Sequence, residues 1–152
     1  MTPAVFNFVQ QLRLKGKTLD IGSTDINGCV RELFDDYIGV DINPGFNVDL
    51  VMDAHSLKFG DQTFDNVLSL EMLEHDSEFW TSVKEMKRVL KPGGNLVITT
   101  RWFSFPPHNP PDYWRFSGDA LGLLLADMDI KYIVHRSACN GVFAHAVKKA
   151  TG

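Results

Sequence analysis

Residues 18–28 read TLDIGSTDING, and the reading of this stretch decides the fold. Thr18, Leu19, Asp20 and Ile21 form a short run suited to a buried strand, and Gly22 breaks it into a polar turn. After Asn27 and Gly28, the segment Cys29–Phe34 carries Val30, Leu33 and Phe34 on one side and predicts a helix fed by that turn. A buried strand, a glycine turn and a helix make a place where a small ligand can sit.

Outward from this unit, YIGVD at 37–41 is a second strand whose acidic end, Asp41, comes about twenty residues after the turn. At that spacing nucleotide-binding α/β folds set a carboxylate against a ribose. Upstream, Val5, Phe8, Val9 and Leu12 recur at helical spacing, so Pro3–Leu14 predicts an amphipathic helix lying over the first strand. Downstream, INPGFN is too short for a packed crossover helix before a third strand, Val48–Met52, that leads to Asp53. Phe64–Leu70 is an interior fourth strand, followed by the charged turn Glu71–His75. Asp76 and Ser77 are caps for a helix whose core stripe is Phe79, Trp80, Val83, Met86, Val89 and Leu90, ended by Lys91–Gly94.

A fifth strand, Leu96–Thr100, runs into the aromatic, proline-rich loop 101–116, RWFSFPPHNPPDYWRF. Ser117–Met128 resumes as a helix, and Ile130–Arg136 with Val142–Val147 suits an antiparallel hairpin. Seven strands and about five helices, alternating through the first five strands, predict an α/β fold: a doubly wound, mostly parallel seven-stranded sheet with an antiparallel edge hairpin.

At 152 residues the chain is expected to form one domain, 1–152, with a core of its own. A net charge of −4 gives no general attraction for nucleic acid or anionic membrane. Cys29 and Cys139 have no metal-binding or disulfide spacing, and His55, His75 and His108 are too scattered for a metal site. The first residues have no secretory pattern and no window is apolar enough for a membrane span, so a cytoplasmic location is expected. An oligomeric state is not legible.

The ordered strings LDIGS, YIGVDINPG, VMDAHSLKF, TFDNVLSLEMLEH and EMKRVLKPGGNLVITT resemble the class I S-adenosylmethionine-dependent methyltransferases, small single-domain and type 11-like. The likeness covers residues from about 18 to 148, and PHNPPDYWRF is similar to a branch with an aromatic segment before a helix. It implies a Rossmann-like sheet and S-adenosylmethionine as cofactor. It also implies residue roles. Backbone groups around Gly22, Ser23 and Thr24 would hold the amino-acid tail, with Asp20 ordering the turn from below, Asp41 the ribose, and Ile42, Asp53, Ala54 and His55 the adenine, with Leu70 and Glu71 closing the other side. One departure matters: the family's glycine pattern would place glycines at 22, 24 and 26, and Thr24 and Ile26 stand at the last two. DINGCV, with Asn27 and Gly28 opening a helix, reads as a variant solution.

Methyl transfer from a sulfonium is an in-line displacement that asks mainly for alignment and exclusion of water, and for a base only when the acceptor must lose a proton. His75 is the first candidate for that base, or else a hydrogen-bonded strut within its turn. His108 and Tyr113 are the other catalytic candidates, in the loop expected to overhang the same opening. Trp114 and Arg115 are read as acceptor-binding. The alternatives are that Tyr113, Trp114 and Phe116 seal the core and that Arg115 tethers an acidic strand end. The resulting expectation is transfer of a methyl group to a small-molecule acceptor, with nucleic acid ranked behind it and no membrane partner. Its alternative is a catalytically silent S-adenosylmethionine-binding or interaction protein on the same fold. A nicotinamide-dependent dehydrogenase is disfavoured because GxGxxG is absent.

Overall fold

In the computed structural model, which describes residues 1–103, 105–107 and 109–150, β1 (Thr18–Ile21) is buried along its whole length. It lies between β2 (Tyr37–Asp41) and β4 (Phe64–Leu70) and is parallel to both. With β3 (Leu50–Val51), β5 (Leu90–Arg101), β6 (Asp129–Arg136) and β7 (Gly141–Val147), the sheet has seven strands in the order β3-β2-β1-β4-β5-β7-β6. Only β7 runs against its neighbours, so the expected hairpin forms one edge, with β6 outermost. The strand order reverses direction between β1 and β4, and ligands of open α/β sheets bind outside the strand ends at that position.

One face of the sheet is covered by α2 (Phe79–Val89) and α3 (Gly118–Leu124), whose Val83, Met86 and Leu121 pack on Leu19, Ile21, Val67, Leu96 and Ile98. Ser117 caps α3 by accepting a hydrogen bond from the Ala120 amide, so the expected cap is present, but the helix stops at Leu124. On the opposite face, α1 (Pro3–Leu12) sets Val5, Phe8 and Val9 against Leu68, Val97 and Phe143, which belong to β4, β5 and β7. It does not lie over β1 as expected. The β1 side chains on that face are Thr18 and Asp20, which offer no apolar surface.

Four further expectations are corrected. Cys29–Phe34 is not a helix but contains one 3-10 turn, Arg31–Leu33, its six residues being too short a run to repay helix nucleation. The third strand is two residues long, not five. The described residues hold three α-helices and three 3-10 turns in place of five helices. Trp80 is 52% exposed: it shares the helix side of Lys84 and Lys87, whereas the buried stripe runs through Ser82, Val83, Met86 and Val89. Lys91–Gly94 does follow the end of α2, but as the start of β5, where the pairing with β4 shifts register and Gly93 adopts φ +77°.

Candidate functional site

The turn at the end of β1 leaves the sheet at Gly22, whose φ of +79° favours glycine. A side chain there would also strike Met72, with Cβ only 2.5 Å from Met72 Cγ. Gly22 therefore lets the β1 and β4 turns close on each other. The Gly22 and Ser23 amides both donate to the Val40 carbonyl, and the Asp25 amide donates to Phe46. Thr24 and Ile26 keep negative φ, so after Gly22 the chain takes a path that needs no further glycine until Gly28, at φ +105°. There the Gly28 amide donates to the Asp25 carboxylate, closing a side-chain turn in place of opening a helix.

Asp41, at the end of β2, faces this turn. One of its oxygens accepts from the Thr24 amide at 3.3 Å and the other from the Asn43 amide at 3.1 Å, which leaves lone pairs on both for hydroxyl donors. Ile42, next in sequence, is 65% exposed. The Thr24 hydroxyl is buried with no hydrogen-bond partner. Asp20 lies below, buried, accepting from the Tyr37 hydroxyl through one oxygen while the other has no partner. Burial pushes the Asp20 carboxyl up to about 7, opposed by the Tyr37 hydrogen bond and the Arg31 charge. Orphaned polar atoms at Asp20 and Thr24, beside the open lone pairs of Asp41, fit the amino-acid and ribose parts of S-adenosylmethionine.

Asp53 and His55 form the next wall. The His55 amide donates to Asp53, and its ring bridges from Asp53, at 3.4 Å, to Asp76, at 2.7 Å. Burial disfavours the His55 charge, but the hydrogen bond and charge of Asp76, with Asp53 and Glu78, raise its pKa on balance. Ala54 packs against the core on the α2 side, and Leu70 against the core on the α1 side. Asp76 also accepts from the Glu78 amide and the Ser82 hydroxyl, and its carbonyl accepts from the Trp114 indole at 2.9 Å. The N-cap of α2 is Glu78, not Asp76 or Ser77 as expected, and Asp76 instead holds the segment before the helix and ties the aromatic loop to it.

Glu71 sits at the end of β4 in the left-handed region, φ +60°, a costly conformation for a side-chain-bearing residue. Its carboxylate is a close charge pair with Arg101 at 2.6 Å, without hydrogen-bond alignment. Glu74 is fully buried behind it, accepting from the Thr100 hydroxyl. Burial, and then the Glu71 charge, push Glu74 up to about 7 against the pull of Thr100 and Arg101. The Glu74 carbonyl receives the Tyr113 and Trp114 amides, and His75 Nδ1 meets the Pro111 carbonyl at 3.0 Å. The loop is therefore pinned over the β4 turn. Tyr113 is 55% exposed, Trp114 stands edge-on to Phe79 and Trp80, and Phe116 is buried against Phe79. Arg115 donates two hydrogen bonds to Asp112 and one to the Phe105 carbonyl, so it tethers the loop to itself and not to a strand end. His108 lies outside the described residues.

Asp20, Gly22, Ser23, Thr24 and Asp41 thus lie together at the ends of β1 and β2, Asp53 and His55 are joined to the β4 side through Asp76, Glu71 and His75 belong to the turn after β4, and Tyr113 to the loop pinned on that turn. Residues 19–98 match the profile of a family described as "Methyltransferase domain". The chain belongs to this family. A mouse protein named "Probable tRNA methyltransferase 9B" is 37% identical over 108 residues, covering 63% of this chain and 24% of that protein. A fatty-acid O-methyltransferase of Mycolicibacterium smegmatis is 31% identical over 118 residues, covering 78% of this chain and 39% of its own length. The domain thus spans less than half of either relative. Among solved structures, a Burkholderia thailandensis 1,6-didemethyltoxoflavin-N1-methyltransferase with bound S-adenosylhomocysteine superposes with a TM-score of 0.75 at 18% identity, covering 97% of this chain and 78% of that one. A SAM-dependent methyltransferase from Aquifex aeolicus gives 0.69 at 20% identity, covering 93% and 88%. These likenesses are to the fold.

The methyltransferase domain also uses residues that the sequence reading passed over. Arg31, Tyr37, Asn47 and Asp49 form a polar group beneath the Gly22 turn, and Glu74 with Arg101 anchors the loop. The first set lies in the connections on either side of β2, which also bury Val30 and pack Leu33 and Phe34 on the same face of the sheet. Glu74 carried no signal, since its burial depends on the path of loop 102–116. No helix among the described residues is long and apolar enough to cross a membrane.

Proposed function

We propose that this methyltransferase domain binds S-adenosylmethionine along the ends of β1, β2 and β4 and transfers its methyl group to a small-molecule acceptor. The observation that supports the reading most is the Asp41 carboxylate beside the Gly22 turn, adjacent to the β1/β4 reversal of strand order. In this reading Asp41 accepts from the ribose hydroxyls, and the exposed Ile42 packs on the adenine with Asp53, Ala54 and His55 at its edge. Asp20, Gly22, Ser23 and Thr24 hold the amino-acid tail, and Leu70 and Glu71 bound the reacting end. The cofactor supplies an activated methyl; the chain aligns the acceptor and excludes water.

His75 and Tyr113 are the residues we assign to the acceptor side, as orienting groups or as the base for an acceptor that must lose a proton. Trp114 contributes an apolar wall there. Within the described residues the Arg115 guanidinium is committed to the loop, so its role is to hold that wall in place. A tRNA acceptor, which the name of the mouse relative suggests for that protein, ranks behind a small molecule here because the net charge of −4 opposes a polyanion. A second reading, cofactor binding without turnover, is favoured by the side chains at 24 and 26 where the family pattern has glycine. We take residues 1–152 as a single domain and its location as cytoplasmic.

Calorimetry with S-adenosylhomocysteine tests the site. Asp41→Ala is expected to weaken binding by about 1 to 3 kcal/mol, the usual cost of losing a charged hydrogen-bond partner, with an unchanged circular dichroism spectrum. Equal affinity in wild type and variant would remove Asp41 from the ribose. Formation of S-adenosylhomocysteine from S-adenosylmethionine in the presence of candidate acceptors separates turnover from silent binding.

A further inference from the structure

The Gly22 turn has an unusual support. In this fold a helix following the first strand fixes the turn, but here only the 3-10 turn Arg31–Leu33 follows. The space beneath is taken by Asn47, which reaches the turn from the β2–β3 connection. The Asn47 amide donates to the Ser23 carbonyl at 2.9 Å, and the Asn47 backbone carbonyl accepts from the Ser23 hydroxyl at 3.2 Å. The same amide nitrogen donates to the Tyr37 hydroxyl at 3.0 Å, and Tyr37 donates in turn to Asp20. Arg31 Nε donates to Asn47 Oδ1 at 2.6 Å. Both amide protons and the amide oxygen of Asn47 are therefore engaged, and its orientation is fixed by three different neighbours.

Those neighbours are themselves held. The Arg31 guanidinium lies 4.4 Å above the Tyr37 ring and donates to Asp49 at 2.6 Å, while Asp49 accepts from the Gly39 amide at 2.8 Å. Gly39 permits the approach: a Cβ at that position would stand 2.3 Å from the Asn47 carbonyl oxygen. Asn47 adopts φ +72°, a left-handed backbone that asparagine tolerates better than other side-chain-bearing residues. Asn47 thus joins the turn to Tyr37 and, through the Tyr37 hydroxyl, to Asp20 at its base, and with every polar atom of its own side chain engaged Asn47 is held in one orientation.

We propose that Asn47, oriented by Arg31 and Tyr37, is the positioning residue of the Gly22–Thr24 turn and sets the affinity of the site for the amino-acid end of its ligand. This rests on the reading of that turn as the cofactor turn. It explains how a chain with Thr24 and Ile26 in place of glycines keeps a defined turn: the order comes from side-chain hydrogen bonds below, not from close packing of a helix behind.

Asn47→Gly is the informative variant, because glycine accepts φ +72° freely and leaves the backbone carbonyl that Ser23 uses, while deleting the amide. Asn47→Ala serves as its companion, lacking the amide and keeping the strain. Two quantities are read: the affinity for S-adenosylhomocysteine by calorimetry, and hydrogen exchange of the Ser23–Asp25 amides without ligand. The proposal expects Asn47→Gly to melt within a few degrees of wild type, to bind about tenfold or more weakly, and to exchange those amides at least tenfold faster, with Asn47→Ala binding no better. Wild-type affinity and wild-type exchange in Asn47→Gly would overturn it, as would a loss of affinity confined to Asn47→Ala, which would mean that strain alone was read. If the wild-type protein fails to bind S-adenosylhomocysteine, the cofactor reading falls; unchanged exchange in Asn47→Gly would then reject the positioning role independently.

Discussion

On the α1 side of the sheet, β4, β5 and β7 present Leu68, Val97 and Phe143 to Val5, Phe8 and Val9, whereas β1 and β2 present Asp20, Tyr37 and Gly39 to Arg31, Asn47 and Asp49. The first region is covered by a helix and held by non-directional burial; the second is covered by connections and held by directed hydrogen bonds. The difference lies in what covers the strands: the helix that precedes β1 lies over β4, β5 and β7, whereas the connections on either side of β2 bring Arg31, Asn47 and Asp49 over β1 and β2. That polar part also bears the proposed cofactor turn.

Truncating one member of each region gives the largest expected contrast. Phe143 is fully buried, and its ring centroid lies 5.2 Å from that of Phe8, so Phe143→Ala should cost about 3 to 5 kcal/mol by lost burial plus a cavity. Arg31→Ala should cost about 1 to 2 kcal/mol, since its side chain is 39% exposed and what is lost is hydrogen bonds to Asn47 and Asp49. Denaturant unfolding measures both. Equal losses would mean that the two regions are not stabilised differently.

The sheet is readable because strand-length apolar runs and glycine turns are local signals: seven strands are expected and seven form, though β5 starts at Leu90, ahead of the expected Leu96, and β3 keeps only Leu50 and Val51. What escaped was conditional on tertiary placement. Cys29–Phe34 has a helical apolar pattern yet makes one 3-10 turn, since a six-residue run repays helix nucleation only with tertiary packing that the sequence does not display. Trp80 reads as core from its type, but its position on α2 sets it beside lysines. At the candidate site, Asp41 was legible from its place at a strand end, whereas Asn47 was not: its partners Ser23, Arg31 and Tyr37 are 24, 16 and 10 residues away and meet only in the fold.

The polar region buries one acid with a raised pKa, Asp20, and the loop anchor after β4 buries another, Glu74, and this makes stability depend on pH. Asp20 and Glu74 titrate at about 7 in the folded chain, well above their ordinary values. A group whose folded pKa is raised contributes stability that is present at low pH and lost as pH rises through the folded value. His55, also raised, acts in the same direction, while His145, lowered by burial and then Lys131, opposes it as pH falls below its ordinary 6.5. Between about pH 4 and pH 7 the protein should therefore lose stability, by roughly 1 kcal/mol or more for each acid, and level off above that, with His145 opposing the loss only below 6.5. Asp20→Asn and Glu74→Gln should each flatten that slope, the first through the polar region and the second through the loop anchor. Melting temperatures across this range check it, and a slope unchanged in both variants would place the dependence elsewhere.

The smallest expected effect on folding separates two roles within the aromatic loop. Phe116 is 3% exposed and packs on Phe79, so it seals the core above β5; Tyr113, three residues earlier, is 55% exposed, and its backbone amide donates to the Glu74 carbonyl. Tyr113→Ala removes no buried side chain and leaves that amide in place, so the change in unfolding free energy should stay within about 0.5 kcal/mol. Methyl transfer should respond differently. If Tyr113 orients the acceptor, kcat/KM for the acceptor falls while affinity for S-adenosylhomocysteine holds, because Asp41 and the Gly22 turn lie across the opening from the loop. A stability loss comparable to that of a buried aromatic would instead show that Tyr113 belongs with Phe116 in sealing the core, and the acceptor wall would then have to be sought at Trp114 and the exposed face of Trp80.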